Sequence, residues 1–514
     1  MQGTAQMPRS PRPPPPRSVS GPFSRAAFAA DINARGGAAT LVRLLAPGAS
    51  AQDQQIGAGA MAILGGGIGI TEDGSESPAP DARAQESIRA AGGIAALVRL
   101  LALGGAAGVQ WRAAKALASL CADNPRNEAC VREAGGVAAL VRLLAPGGAA
   151  EVQEATAWAL ASLCQGSRQA QDAVRAAGGA AALVALLAPG GAAGVREQAA
   201  HALGNLCFES SASRASVREA GGAAALVRLL APGGAPAAQE AAATALTKLC
   251  LGSARGRDAV RAAGGAAALV GLLGAGGARR WAAMALHLLM DKHPGTQDSV
   301  RAAGGVAPLV GLLAPGGADD AHVFAAGAVG SLCATSAQNR ASVTEAGGAA
   351  ALVGLLAPGG DADACEAAVC ALADLAGDAQ ERDAVLEAGG VAALRGVVAC
   401  GRPAAAQPLA ADALRRLGSA PGRRAGAALP APGGDAAARA PAGRAADTPR
   451  CGLGTSARGG GGVAALRQSA RQCWLAHALG VAVGGPALSK HMQSTCARVG
   501  AFQAATKGRS VKLW

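Results

Sequence analysis

At 514 residues the chain could hold three ordinary domains, but its composition is lopsided: hydrophobic residues make up 51%, aromatics only 2%, and tyrosine is absent. Charged residues at 16% and a mean hydropathy of +0.25 invite a membrane reading, which is excluded because the longest uncharged stretch, 176–195, is broken by Pro189 and several glycines. The net charge of +13 excludes less than it suggests: 420–514 carry 13 Lys or Arg against Asp435 and Asp447, and 1–33 carry four Arg against Asp31. The residues between are close to neutral, so the basicity does not describe a nucleic-acid surface there.

In chain order, residues 1–33 come first, with the run PRPPPPR, which reads as an extended, disordered segment. They lack the apolar core of a secretory signal; Arg and Ser without an acid before Asp31 fit an organellar leader as the alternative. From Gly36 onward a Gly-Gly pair recurs nine times, led by Gly36, Gly92, Gly135, Gly178, Gly221, Gly264, Gly304, Gly347 and Gly389. Four consecutive steps are 43 residues, which means stacked supersecondary units around one continuous core. The first step is stretched to 56 by an insertion expected to loop from Gly65 to about Ala82, and the step from Gly264 shortens to 40.

Within a unit such as Pro125 to Cys164, three helices are predicted. A short one over Arg126–Ala134 stops at Gly135-Gly136, where the backbone can turn with positive φ. A second over Val137–Ala145 groups Leu140, Leu143 and Leu144 on one face before Pro146-Gly147-Gly148. A third over about Ala150–Cys164 carries the stripe Val152, Thr156, Leu160 and Leu163, repeated as Val195, Ala199, Leu203 and Leu206. The repetition spans 34–419. Beyond it, 420–514 is Ala, Gly, Pro and Arg-rich and reads as largely disordered, with a short helix at Trp474–Val483.

Five of the 12 cysteines, Cys121, Cys164, Cys207, Cys250 and Cys333, end the third helix. Equivalent atoms of stacked helices are ~10 Å apart, too far for a disulfide. Buried free thiols in a reducing compartment, the cytoplasm or nucleus, are expected. No nucleophile elbow, zinc-protease, phosphate-loop or Cys-x-x-Cys motif occurs, and His287 and His293 lack metal-ligand spacing. Neither catalysis nor a cofactor or metal is expected.

A three-helix unit of 40 to 43 residues, with GVREQAAHALGNLC (194–207) and SVREAGGAAALVRLL (216–230), resembles the armadillo repeat. The resemblance implies an all-α fold, a right-handed α–α superhelix, acting as a protein-interaction scaffold or adaptor. It also implies that the third helices line a concave groove for an extended peptide. In the import-adaptor branch, Trp and Asn one turn apart on that helix clamp the peptide. Here the two positions read Lys115 and Ser119, Trp158 and Ser162, His201 and Asn205, Thr244 and Lys248, Met284 and Leu288, Gly327 and Ser331, Cys370 and Asp374; no copy has both residues. One turn earlier stand Trp111, Glu154, Glu197, Glu240, Arg280, Val323 and Glu366. The expectation is therefore a groove suited to a basic or polar extended segment, with Trp158 as its apolar anchor. The ubiquitin-ligase type would add a U-box, and the vacuolar, membrane-tethered type a myristoylated Gly where Gln2 stands. Axonemal members differ only in surface residues. The basic tail suits an acidic surface, the groove's own acidic row included.

Overall fold

The computed structural model describes residues 37–66, 82–102, 104–274, 276–314, 321–400 and 406–418. The expectations for 1–33, the insertion after Gly66, and 420–514 with its short helix lie outside these residues. Among the described residues there are 26 helices and no strand. They fall into two compact units, one ending at Gly136 and one beginning at Val137.

The three-helix reading holds copy after copy. In the clearest case the helices are Pro125–Glu133, Gly136–Leu143 and Ala150–Cys164. The second ends two residues earlier than its sequence suggests, because Leu144 already belongs to the turn that leads into Pro146-Gly147. Six of the first helices start on a side-chain cap, whereas Ala379–Glu387 follows Asp378 without a side-chain cap bond. Ser167, Ser210, Ser253 and Ser336 accept from the backbone N–H three residues on, and Asn124 and the His293 ring do the same. Each first helix stops at the Gly-Gly pair. Gly178 takes φ +79°, and a Cβ on Gly179 would lie 2.5 Å from the Val174 Cγ1 and 2.8 Å from its carbonyl oxygen. The two glycines therefore have different jobs: one turns the chain, the other lets the second helix close on the first.

The first helix also seals the end of the preceding third helix, whose last carbonyls have no partner of their own. Gln171 donates to Cys164 O at 3.2 Å, Arg214 to Cys207 O at 3.0 Å, Gln297 to Met290 O at 3.1 Å and Arg340 to Cys333 O at 3.0 Å. In the first unit Asn127 does this at Leu120 O, 2.7 Å away.

In the second unit the third helices Ala150–Cys164, Ala193–Cys207, Pro236–Cys250, Ala278–Met290, Ala321–Cys333, Ala362–Leu375 and Ala406–Gly418 pack in sequence, each on the next. In the first unit Ala51–Leu64 packs on Ala107–Cys121. Val152, Thr156, Leu160 and Leu163 are buried, as are Val195, Ala199, Leu203 and Leu206. With few aromatics the core gains contact by close approach instead of side-chain bulk. Gly204 lets the backbone of Ala245 come within 3.2 Å of where its Cβ would stand. Cys121, Cys164, Cys207, Cys250 and Cys333 are buried and in no disulfide, and burial pushes the thiols of Cys207 and Cys250 up to about 12.

The third-helix face as candidate functional site

Residues four apart on a third helix share one face, and the stacking repeats that face from copy to copy. In the second unit Glu154 is exposed, while Trp158, Ser162, Glu197, His201, Glu240 and Thr244 are half-buried. Burial raises the Glu197 carboxyl above its ordinary value, and Glu154 and Glu240 add to the shift; the three carboxylates sense one another as a single acidic row. Further along, Arg280 and the buried Val323 interrupt the row, and Glu366, raised to about 7 by burial and then by Asp363, resumes it.

Two of these glutamates lie against the following helix. A Cβ on Gly194 would stand 2.5 Å from Glu154 Oε2, and one on Gly277 would collide with the carboxylate of Glu240. Gly194 and Gly277 are at the first turns of the helices Ala193–Cys207 and Ala278–Met290, where negative charge is favoured by the helix dipole. At the same point the helix Pro236–Cys250 has Ala237, so Glu197 has no such notch and its Oε1 accepts from Gln198 at 3.2 Å. The acidic row contains two parked carboxylates and one that is not parked.

The expected Asn and Lys positions are engaged inside the protein. Asn205 Nδ2 donates to Ala161 O of the preceding helix at 3.0 Å, and its Oδ1 accepts from Lys248 Nζ of the following helix at 2.8 Å. Lys248 is 5% exposed, and its Nζ stands 5.6 Å from the centre of the Phe208 ring. Burial lowers the Lys248 ammonium to about 8, and burial followed by Lys248 lowers the His201 imidazole. Thr244 Oγ1 donates back to Glu240 O at 2.9 Å. No spacing rule in the sequence marks these cross-repeat bonds; the 43-residue separation of Asn205 and Lys248 is the one signal that could have found them.

The first unit presents the same register with other chemistry. Trp111 is half-buried, with the Arg112 guanidinium 5.2 Å and the Lys115 ammonium 5.1 Å from its ring centroid. Ser119, at the Asn205 register, is buried and donates to Lys115 O at 3.1 Å. Of the two histidines considered for a metal, His293 caps a helix and His287 Nδ1 lies 2.8 Å from both Gly327 O and Ser331 Oγ. Among the described residues no group of three or more His, Cys, Asp or Glu is placed to hold a metal ion, and no helix is long and apolar enough to cross a membrane.

One family model, that of the Armadillo/beta-catenin-like repeat, matches residues 124–165, which run from the cap Asn124 to the end of the third helix. No curated protein matches the chain. Among solved structures the chain is similar to an engineered protein from the Northeast Structural Genomics Consortium. The two are 31% identical with a TM-score of 0.67 over 78% of this chain and 92% of that one. A second engineered protein from the same consortium is 31% identical over 49% of this chain and 96% of that one, with a TM-score of 0.44.

Proposed function

We propose that this chain, which belongs to the armadillo-repeat family, is a non-enzymatic scaffold or adaptor that holds an extended segment of a partner protein along its third-helix face. The observation that carries the reading is the row of Glu154, Trp158, Glu197, His201, Glu240 and Thr244, solvent-reachable side chains repeated at the spacing of the stacked helices in the second unit. A row of this kind suits an extended chain, whose alternate side chains leave the backbone at regular intervals. Its acidity favours Lys or Arg in that segment, and Trp158 offers the large rigid surface on which binding energy concentrates. The expected site of action is the cytoplasm or nucleus, in keeping with buried cysteines in no disulfide.

The test is an array of ten-residue extended peptides, with affinities measured by fluorescence anisotropy on the full chain. Lys- and Arg-bearing peptides should bind, and exchanging Glu154, Glu197 and Glu240 together for Lys should remove that binding. Unchanged affinity in the triple variant would overturn the proposal.

A further inference from the structure

The buried lysine on this face has no work in the scheme above. Lys248 Nζ can donate three hydrogen bonds, yet its one hydrogen-bond acceptor is the neutral Asn205 Oδ1, and no carboxylate among the described residues lies within ion-pair distance of it. A cation taken out of water without an anion is costly. The repeat does not demand it, since the same register holds Ser119, Ser162, Leu288, Ser331 and Asp374 in other copies. Asn205 is fixed from behind by its bond to Ala161 O, so its oxygen stays turned toward the lysine. One turn before Asn205, on the same face, stands the half-buried His201, whose imidazole is kept neutral by burial and then by the charge of Lys248. Thr244 is half-buried one turn before Lys248 on the same helix.

We propose that Lys248, His201 and Asn205 form a carboxylate-accepting subsite on the third-helix face, so that the bound segment carries an acidic group beside the basic one that meets Glu197. The inference rests on the reading of that face as a binding surface for an extended segment. An anion here gives Lys248 its missing counter-charge, and the neutral His201 imidazole can donate a hydrogen bond to it. A dianion such as a phosphate is disfavoured because Glu197 and Glu240 share the face. The spacing follows from geometry. His201 and Asn205 lie one and two turns after Glu197, about 6 and 12 Å at 1.5 Å per residue. An extended chain covers those distances in two and four residues, which also point to the same side. The fitting segment therefore has Arg or Lys at one position and a carboxylate two to four positions away.

The carboxylate can come from a side chain or from a chain terminus, and one experiment separates the two. Peptides of ten residues carrying Arg, with Glu or Gln two or four positions to either side, are compared with shorter ones ending at those positions in a free acid or an amide. Each is titrated against the wild-type full chain, Lys248→Met and Lys248→Arg. Loss of the carboxylate, by Glu→Gln or acid→amide, should weaken binding to the wild type about ten-fold. It should change nothing in Lys248→Met, and Lys248→Arg should keep most of the preference. The pair of peptides that shows the effect identifies the source. Arg peptides that bind without any carboxylate preference, or with the same preference in Lys248→Met, overturn the subsite and leave the scaffold reading standing. Failure of every peptide to bind overturns both. Thermal melts of the two variants show whether they are folded, and the preference retained by Lys248→Arg separates lost charge from lost structure.

Discussion

The two units carry the same register on their third helices with opposite chemistry. In the first, the Arg112 and Lys115 cations stand 5.2 and 5.1 Å from the Trp111 ring centroid. In the second, Trp158 shares its register with the acidic row Glu154, Glu197 and Glu240, and Lys248 donates to Asn205. The backbone plan is common, down to the Gly-Gly pair and a side-chain seal on third-helix ends in both units. What differs is a handful of residues at fixed positions. In a repeat array, therefore, position is inherited from the scaffold and meaning is set one residue at a time.

The largest expected effect tests what the units share. Gly93→Ala in the first unit and Gly179→Ala in the second should each cost about 3 kcal/mol, because the new Cβ has no room beside Ile88 or Val174. Native-state hydrogen exchange, which resolves local stability, should show the loss concentrated in the altered repeat in both cases. A large loss in one unit and none in the other would break the equivalence of the two scaffolds.

Next comes the register position that differs most, Lys248 against Ser119. The Lys248 amine titrates at about 8 in the folded chain, below its ordinary value of 10.5. Between those values the unfolded chain binds more protons, so stability rises with pH across that window and the lysine is a burden of on the order of 3 kcal/mol below it. Lys248→Met should flatten that pH dependence and stabilise the protein at pH 7 by about 1–2 kcal/mol, the rest being offset by the unpaired Asn205 oxygen. Ser119→Ala, which removes only a bond back to its own helix, should change stability by about 0.5 kcal/mol or less and leave the pH profile as it was. Chemical denaturation between pH 7 and 10.5 distinguishes these outcomes.

A smaller effect is expected in binding. If the basic segment occupies the second unit, Trp158→Ala should weaken an Arg-bearing peptide by about 1–2 kcal/mol and Trp111→Ala should not. Equal losses would mean that charge does not direct the segment to one face.

Much of the scaffold was legible because it depends on local residues and a period. Gly178 had to be a residue that tolerates positive φ, Ser167 caps the helix behind it, and the Leu and Val stripes follow from helical geometry. The third-helix bounds Ala150–Cys164 needed nothing from outside the unit. The candidate face was legible only as a register. That Glu154 lies against Gly194 while Glu197 has no such notch is decided by the next repeat, and so is the bond of Lys248 to Asn205, itself held by Ala161 O. Those are pairings between residues 40 or more apart, fixed by how helices stack, and no motif encodes them.

The smallest effect is the sharpest probe of the acidic row. Gly194→Ala adds a good helix former to the first turn of Ala193–Cys207, worth about 0.5–1 kcal/mol against glycine. Its Cβ would sit where the flexible end of Glu154 now rests, so the carboxylate swings away and loses the favourable end of the helix, which costs about 0.3–1 kcal/mol. The two terms nearly cancel, and stability should change by about 0.5 kcal/mol or less. Binding should not be neutral. A Glu154 released from its notch joins Glu197 as a second mobile acceptor, and an Arg-bearing peptide should gain a few-fold in affinity. The same substitution in the first unit, Gly108→Ala, displaces the neutral Gln55 and should leave that affinity unchanged. A gain in both variants would mean that helix stability, and not carboxylate release, tunes the face.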